Sequence, residues 1–134
     1  MTTRPTVDAL LRERAEHWPE ATTPAAEAMM RVFRLSKLAI ANASELLSAQ
    51  GLSLTEFEAL ASLRGAPPPH ELAPSALYDA ILISSGGLTK VMRGLAARGL
   101  VSRGAGEADR RSKPVRVTEK GRAIIERAMA EVLD

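Results

Sequence analysis

Between Leu100 and Val117 the apolar pattern changes period, and that change limits what the chain can fold into. Leu100-Val101-Ser102-Arg103 and Val115-Arg116-Val117 read as two short strands. Between them lies a polar tip, Gly104 to Lys113, with Gly104 and Gly106 to turn the chain. Pro114 stands at the start of the returning strand, where a missing N–H is tolerated. Elsewhere the apolar residues recur at helical spacing. The expected fold is therefore mainly α with a small β-hairpin. Aromatics make up only 3% of the residues, so the core must be aliphatic, as in packed helices.

Helix boundaries are marked by local chemistry. Thr6 can cap a helix over Val7–Trp18, which Pro19 stops. Thr23 and Pro24 open a long helix to about Gln50, with Gly51 as its stop. Met29, Val32, Phe33, Leu35, Leu38, Ile40, Leu46 and Leu47 leave little of that helix polar. It must be covered on more than one side, in part by a second subunit. Ser53-x-x-Glu56 is a capping box opening a helix to about Arg64. After the stiff Ala66-Pro67-Pro68-Pro69 loop, Pro74 starts a short helix to Ile81. Following a tight turn, Ser84 is expected to cap a helix to Arg98, with Leu88, Val91, Met92 and Leu95 facing inward. Thr118 caps a last helix with an apolar stripe of Ile124, Ile125, Ala128, Met129, Val132 and Leu133.

A length of 134 residues fits one domain. No apolar run is long enough to span a membrane, and the N-terminus leads into a charged stretch rather than an apolar signal core. The expectation is a cytoplasmic protein without membrane partners. With no cysteine there is no disulfide and no thiolate metal site. His17 and His70 alone do not make a metal centre, so neither metal nor cofactor is expected.

Net charge is only +2, but it is unevenly placed. Residues 84–118 hold Lys90, Arg93, Arg98, Arg103, Arg110, Arg111, Lys113 and Arg116 against Glu107 and Asp109, while both flanks are net acidic. Such asymmetry suits a phosphate-binding surface, although a solvated basic face would look the same.

Two short helices, a tight turn and then a hairpin make a winged helix-turn-helix, centred on residues 74–118. Its second helix would enter the major groove with Ser84, Ser85, Gly86, Thr89, Lys90 and Arg93 toward duplex DNA, all small, polar or basic. Gly86-Gly87 costs about 2 kcal/mol of helix propensity. Either it marks a weak helix start, or the missing side chains let the backbone approach DNA. Arg110, Arg111 and Lys113 on the tip would reach an adjacent minor groove, or form a solvated charged turn.

Several stretches together resemble the MarR family of bacterial transcriptional regulators over residues 52–129. These are Leu54-Thr55-Glu56-Phe57, Pro74-Ser75-Ala76-Leu77, Ser84-Ser85-Gly86-Gly87-Leu88-Thr89 and Leu95-Ala96-Ala97-Arg98-Gly99-Leu100-Val101. The most specific is Asp109-Arg110-Arg111 followed by Val115-Arg116-Val117-Thr118-Glu119-Lys120-Gly121. The resemblance implies a winged-helix lobe over 52–118 and a dimerisation lobe from helices in 5–50 and 119–134. It implies a homodimer on a pseudo-palindromic operator and repression relieved by a small aromatic or phenolic anion. It implies that Arg110 or Arg111 enters the minor groove and that Asp109 orients the wing. Trp18 after the extra N-terminal helix resembles a urate- and phenolic-responsive subgroup, whose ligand set falls here on Trp18, Glu58, Lys90 and Arg103. That subgroup usually has Asp and Arg where this chain has Glu58 and Lys90, and Lys cannot grip a planar anion bidentately. The other reading of these residues is that Trp18 packs the N-terminal helix down and Glu58 pairs with Lys90. Family members usually continue with a further helix, so the chain would either dimerise through less area or be part of a longer protein.

Two rival classes remain. Catalysis lacks any paired carboxylates, nucleophile with a nearby histidine, or phosphate loop, so an enzyme is not expected. A winged helix used only for protein–protein contact is the alternative, and it would have no need of Lys90, Arg93 and a basic wing.

Overall fold

The computed structural model describes residues 3–82, 87–104 and 113–134. In chain order the elements are α1 (Val7–His17), α2 (Pro24–Ala49), α3 (Leu54–Gly65), β1 (Glu71–Leu72), α4 (Pro74–Ala80), α5 (Leu88–Ala97), β2 (Val101–Arg103), β3 (Val115–Val117) and α6 (Glu119–Leu133). The chain divides into two compact units, residues 1–42 and 43–134.

In the first unit the Thr6 hydroxyl accepts the Ala9 N–H and caps α1, and Thr23 does the same for Ala26 at the start of α2. Leu11 is the buried residue of α1. Polar ties join α1 to the first half of α2. Arg31 pairs with Asp8 at 2.8 Å and Arg34 donates to the Pro5 carbonyl at 3.1 Å. Both are exposed and add little stability. Met29, Val32, Phe33, Leu35 and Leu38 on α2 are exposed, Leu35 at 67%. The sequence demanded cover for this helix, and the chain itself leaves these side chains open.

In the second unit the core is aliphatic, as the low aromatic content required. Leu47, Leu52, Leu60, Leu63, Leu77, Leu95, Leu100, Val115 and Ile125 form one buried cluster. Each such side chain contributes about 1.5–3 kcal/mol through burial. The capping box is complete: the Ser53 hydroxyl accepts from the Glu56 N–H, and the Glu56 carboxylate accepts from the Ser53 N–H at 2.9 Å. Thr118 accepts the Gly121 N–H at 3.0 Å and so caps α6.

The structure departs from expectation in two places. First, the hairpin is part of a three-stranded antiparallel sheet of order β1-β3-β2. β1 pairs with β3 through Glu71 with Arg116 and Leu72 with Val115, so the loop after α3 supports the hairpin. Second, α5 begins at Leu88 rather than at Ser84. Gly87 sits at φ 74°, a left-handed conformation that glycine adopts freely and that cannot continue a helix. The Gly86-Gly87 pair thus ends at a helix boundary.

Candidate nucleic-acid interface

Helix α5 is amphipathic. Met92 and Leu95 are buried, Leu88 and Val91 pack against the core, and Thr89, Lys90 and Arg93 are exposed. Three of the residues expected to meet DNA therefore share the solvent-facing side of one helix. The helix has no side-chain cap at Gly87.

The hairpin faces the same opening. Register pairs Val101 with Val117, Ser102 with Arg116 and Arg103 with Val115. Above the last pair, the Gly104 N–H donates to the Pro114 carbonyl at 2.7 Å and closes the base of the tip. Arg103 donates to the Lys113 carbonyl at 3.2 Å, which ties the Arg103 guanidinium across the hairpin. An open cleft of about 840 Å³ lies between α4, α5 and this hairpin. Its rim carries Thr89, Arg93, Arg103 and Lys113, and its floor includes Leu77, Met92 and Val115.

The remaining sequence-derived residues fall as follows. Lys90 is exposed on α5 but is not part of the cleft wall, and Glu58 is half-buried on α3. Trp18 is 63% exposed at the end of α1, in the first unit, whereas Glu58, Lys90 and Arg103 are in the second. Ser84, Ser85, Gly86, Asp109, Arg110 and Arg111 lie outside the described residues. Sequence reasoning missed Tyr78, the sole tyrosine, exposed on α4 and lining the cleft. It also missed the anchoring of Arg116, whose guanidinium gives two bonds to one Glu71 oxygen at 2.8 and 3.0 Å. Arg116 is therefore tied to the sheet edge. Among the described residues no helix is long and apolar enough to cross a membrane, and no three His, Cys, Asp or Glu side chains converge as a metal site.

A family model described as MarR family matches residues 50–112, the stretch from the end of α2 through the helix-turn-helix and into the hairpin. Over those residues the chain is similar to the MarR family. The chain is 34% identical over 98 residues to the HTH-type transcriptional regulator PecS of Dickeya dadantii, covering 73% of this chain and 59% of that protein. It thus spans little more than half the length of that relative. Among solved structures, a MarR family transcriptional regulator from Silicibacter pomeroyi superposes with a TM-score of 0.66 at 29% identity, covering 81% of this chain and 70% of the other. A MarR family regulator from Streptomyces coelicolor gives a TM-score of 0.70 at 21% identity, over 83% and 76% of the two chains, and shows the shared fold.

Proposed function

We propose that this chain is a double-stranded-DNA-binding transcriptional regulator that acts as a homodimer. One observation carries the reading: exposed Thr89 and Arg93 of α5 and Arg103 and Lys113 of the hairpin surround a single opening. An α-helix fits the major groove, while a hairpin beside it reaches the backbone or the neighbouring minor groove. Ser84, Ser85, Gly86, Lys90, Arg110 and Arg111 complete the proposed DNA surface. The named activity of PecS, transcriptional regulation, supports the same reading. The exposed apolar face of α2, from Met29 to Leu38, supports a second copy as partner. Two copies would set their α5 helices about 34 Å apart, one turn of B-DNA. Selection of bound duplexes from random sequence tests the proposal. A two-fold-symmetric site supports it; recovery of no preferred sequence, with affinity independent of salt, refutes it.

The cleft also favours a second layer of function, repression released by a small aromatic or phenolic anion. Its floor is apolar, Tyr78 supplies an aromatic wall, and Arg103 and Lys113 supply positive charge. That combination suits a planar anion. A ligand there would compete with DNA for the same cations or tilt α5. Titrating salicylate into a complex of the protein with its selected duplex tests this reading. Release by the wild type but not by Arg103→Met supports it; equal release by both refutes it.

A further inference from the structure

The C-terminal end of α5 is held by directional polar bonds from two neighbouring elements. Arg98, the residue that ends the helix, reaches the Glu56 carboxylate of α3 with Nη1 to Oε2 at 3.4 Å. The same Oε2 accepts the Ser53 N–H, so Arg98 is fastened to an oxygen already fixed by the α3 capping box. From the other side, Lys120 Nζ of α6 donates to the Arg98 carbonyl at 3.0 Å. That carbonyl is one of the acceptors a helix end leaves without an internal partner. Beyond it, Gly99 turns the chain at φ 71°, and the Thr118 hydroxyl donates to the Gly99 carbonyl at 2.7 Å. The side-chain exposures, 41% for Arg98 and 19% for Glu56, place the ion pair at the edge of the core.

The middle of α5 is held differently. Met92 and Leu95 pack into an aliphatic core, and apolar packing has no preferred direction. It resists separation of the helix from the lobe more than it resists a small tilt. Thr89 lies nine residues before Arg98, about 13 Å along the axis at 1.5 Å per residue, so a 5° pivot at Arg98 moves it by roughly 1 Å. A shift of about 1 Å takes a 2.9 Å hydrogen bond to a base edge out of range. The same shift leaves a flexible cation within reach of a phosphate.

From this geometry we propose that Arg98 is a positioning residue: its pairing with Glu56 and the Lys120 bond to its carbonyl set the pitch of α5 and thereby the discrimination between an operator and random DNA. The proposal rests on the DNA-binding reading above. It concerns sequence discrimination and leaves overall phosphate affinity to the cleft cations.

The test uses the full chain and two duplexes, the one that the wild type selects from random sequence and a shuffled duplex of equal length and composition. Arg98→Met keeps the aliphatic stem and removes the charge. Glu56→Gln keeps an acceptor for the Ser53 N–H while removing the carboxylate, and Lys120→Met removes the donor to the Arg98 carbonyl. Each variant is expected to lose roughly tenfold on the selected duplex, the size of one lost base contact, and less than about twofold on the shuffled one. Simple loss of folded protein would lower both by the same factor, as would a direct Arg98–phosphate contact. Equal losses on both duplexes, or none on either, overturn the assignment. Should Arg98→Met fail to fold, the milder Glu56→Gln still reads the ratio. A wild type that selects no duplex refutes the DNA-binding reading itself. A wild type that selects one, with variants that keep its preference, refutes only the role of Arg98.

Discussion

Adding one methyl group at Gly121 should loosen the hairpin from α6. Gly121 is buried in the first turn of α6. A Cβ built there meets the Leu100 carbonyl oxygen, and Val117 Cγ2 at 2.8 Å. The first obstacle is backbone, which cannot swing aside like a side-chain tip, so α6 or the start of β2 must move. That movement strains the Thr118 N–H to Leu100 carbonyl bond, now 3.1 Å, which ties the two segments together. Overpacking of this kind costs about 1–3 kcal/mol. Loss of the hydrogen bond adds about 1 kcal/mol. The better helix propensity of alanine returns about 1 kcal/mol. Gly121→Ala is therefore expected to destabilise by about 2 kcal/mol, which at roughly 2.1 cal/mol/K per residue lowers Tm by about 7 °C. Gly94→Ala is the control: a Cβ there has nothing within 4 Å, and the substitution lies inside α5. It should stabilise by about 0.5–1 kcal/mol. Urea unfolding and thermal melts followed by circular dichroism compare the two. A Gly121→Ala protein that melts at or above the wild-type temperature would refute the close approach of α6 to β2.

Arg93→Ala and Lys113→Ala should each weaken binding across all duplex sequences and reduce the slope of log affinity against log salt by about 1, measured by fluorescence anisotropy. An unchanged slope removes that residue from the interface. Leu35→Asp, on the exposed face of α2, should shift the protein toward monomer; light scattering that shows no shift would place the subunit contact elsewhere. The Glu126 carboxyl lies below its ordinary value of 4.5, chiefly because Arg64 donates to it at 2.7 Å. A lowered folded-state value means that this carboxylate stabilises the fold above the ordinary carboxylate range, and that its contribution fades as pH falls through the lowered value. Acid titrations of stability should show a shallower acid limb in Glu126→Gln than in the wild type; superimposable limbs would argue against the Arg64 contact in solution.

What could be read in the sequence was local. Thr6, Thr23, Ser53 with Glu56, and Thr118 cap their helices as expected, because a cap is decided within three residues of itself. The inward stripe of α5 followed from spacing alone. The two residues of β1 show no period of their own and pair with a strand more than 40 residues further along the chain, so Glu71 and Leu72 gave no sign of their sheet. Ser84 looked like a cap, yet the helix waits for Leu88. The spacing supplied two glycines but not that Gly87 takes a positive φ. Thr89, Arg93 and Lys113 were named from charge and pattern and Arg103 from the resemblance, whereas Tyr78 was not named at all. A single exposed aromatic on a short helix carries no pattern, and only the placement of α4 beside the hairpin gives it neighbours.

The hydrogen bond from Gly104 to Pro114 has an architectural consequence. It seals a ring whose two ends are already joined before the segment 105–112 begins. For a ring so fastened, each doubling of loop length costs only about 0.6 kcal/mol in closure entropy. Insertions and deletions in that segment can therefore accumulate with little penalty to the lobe beneath.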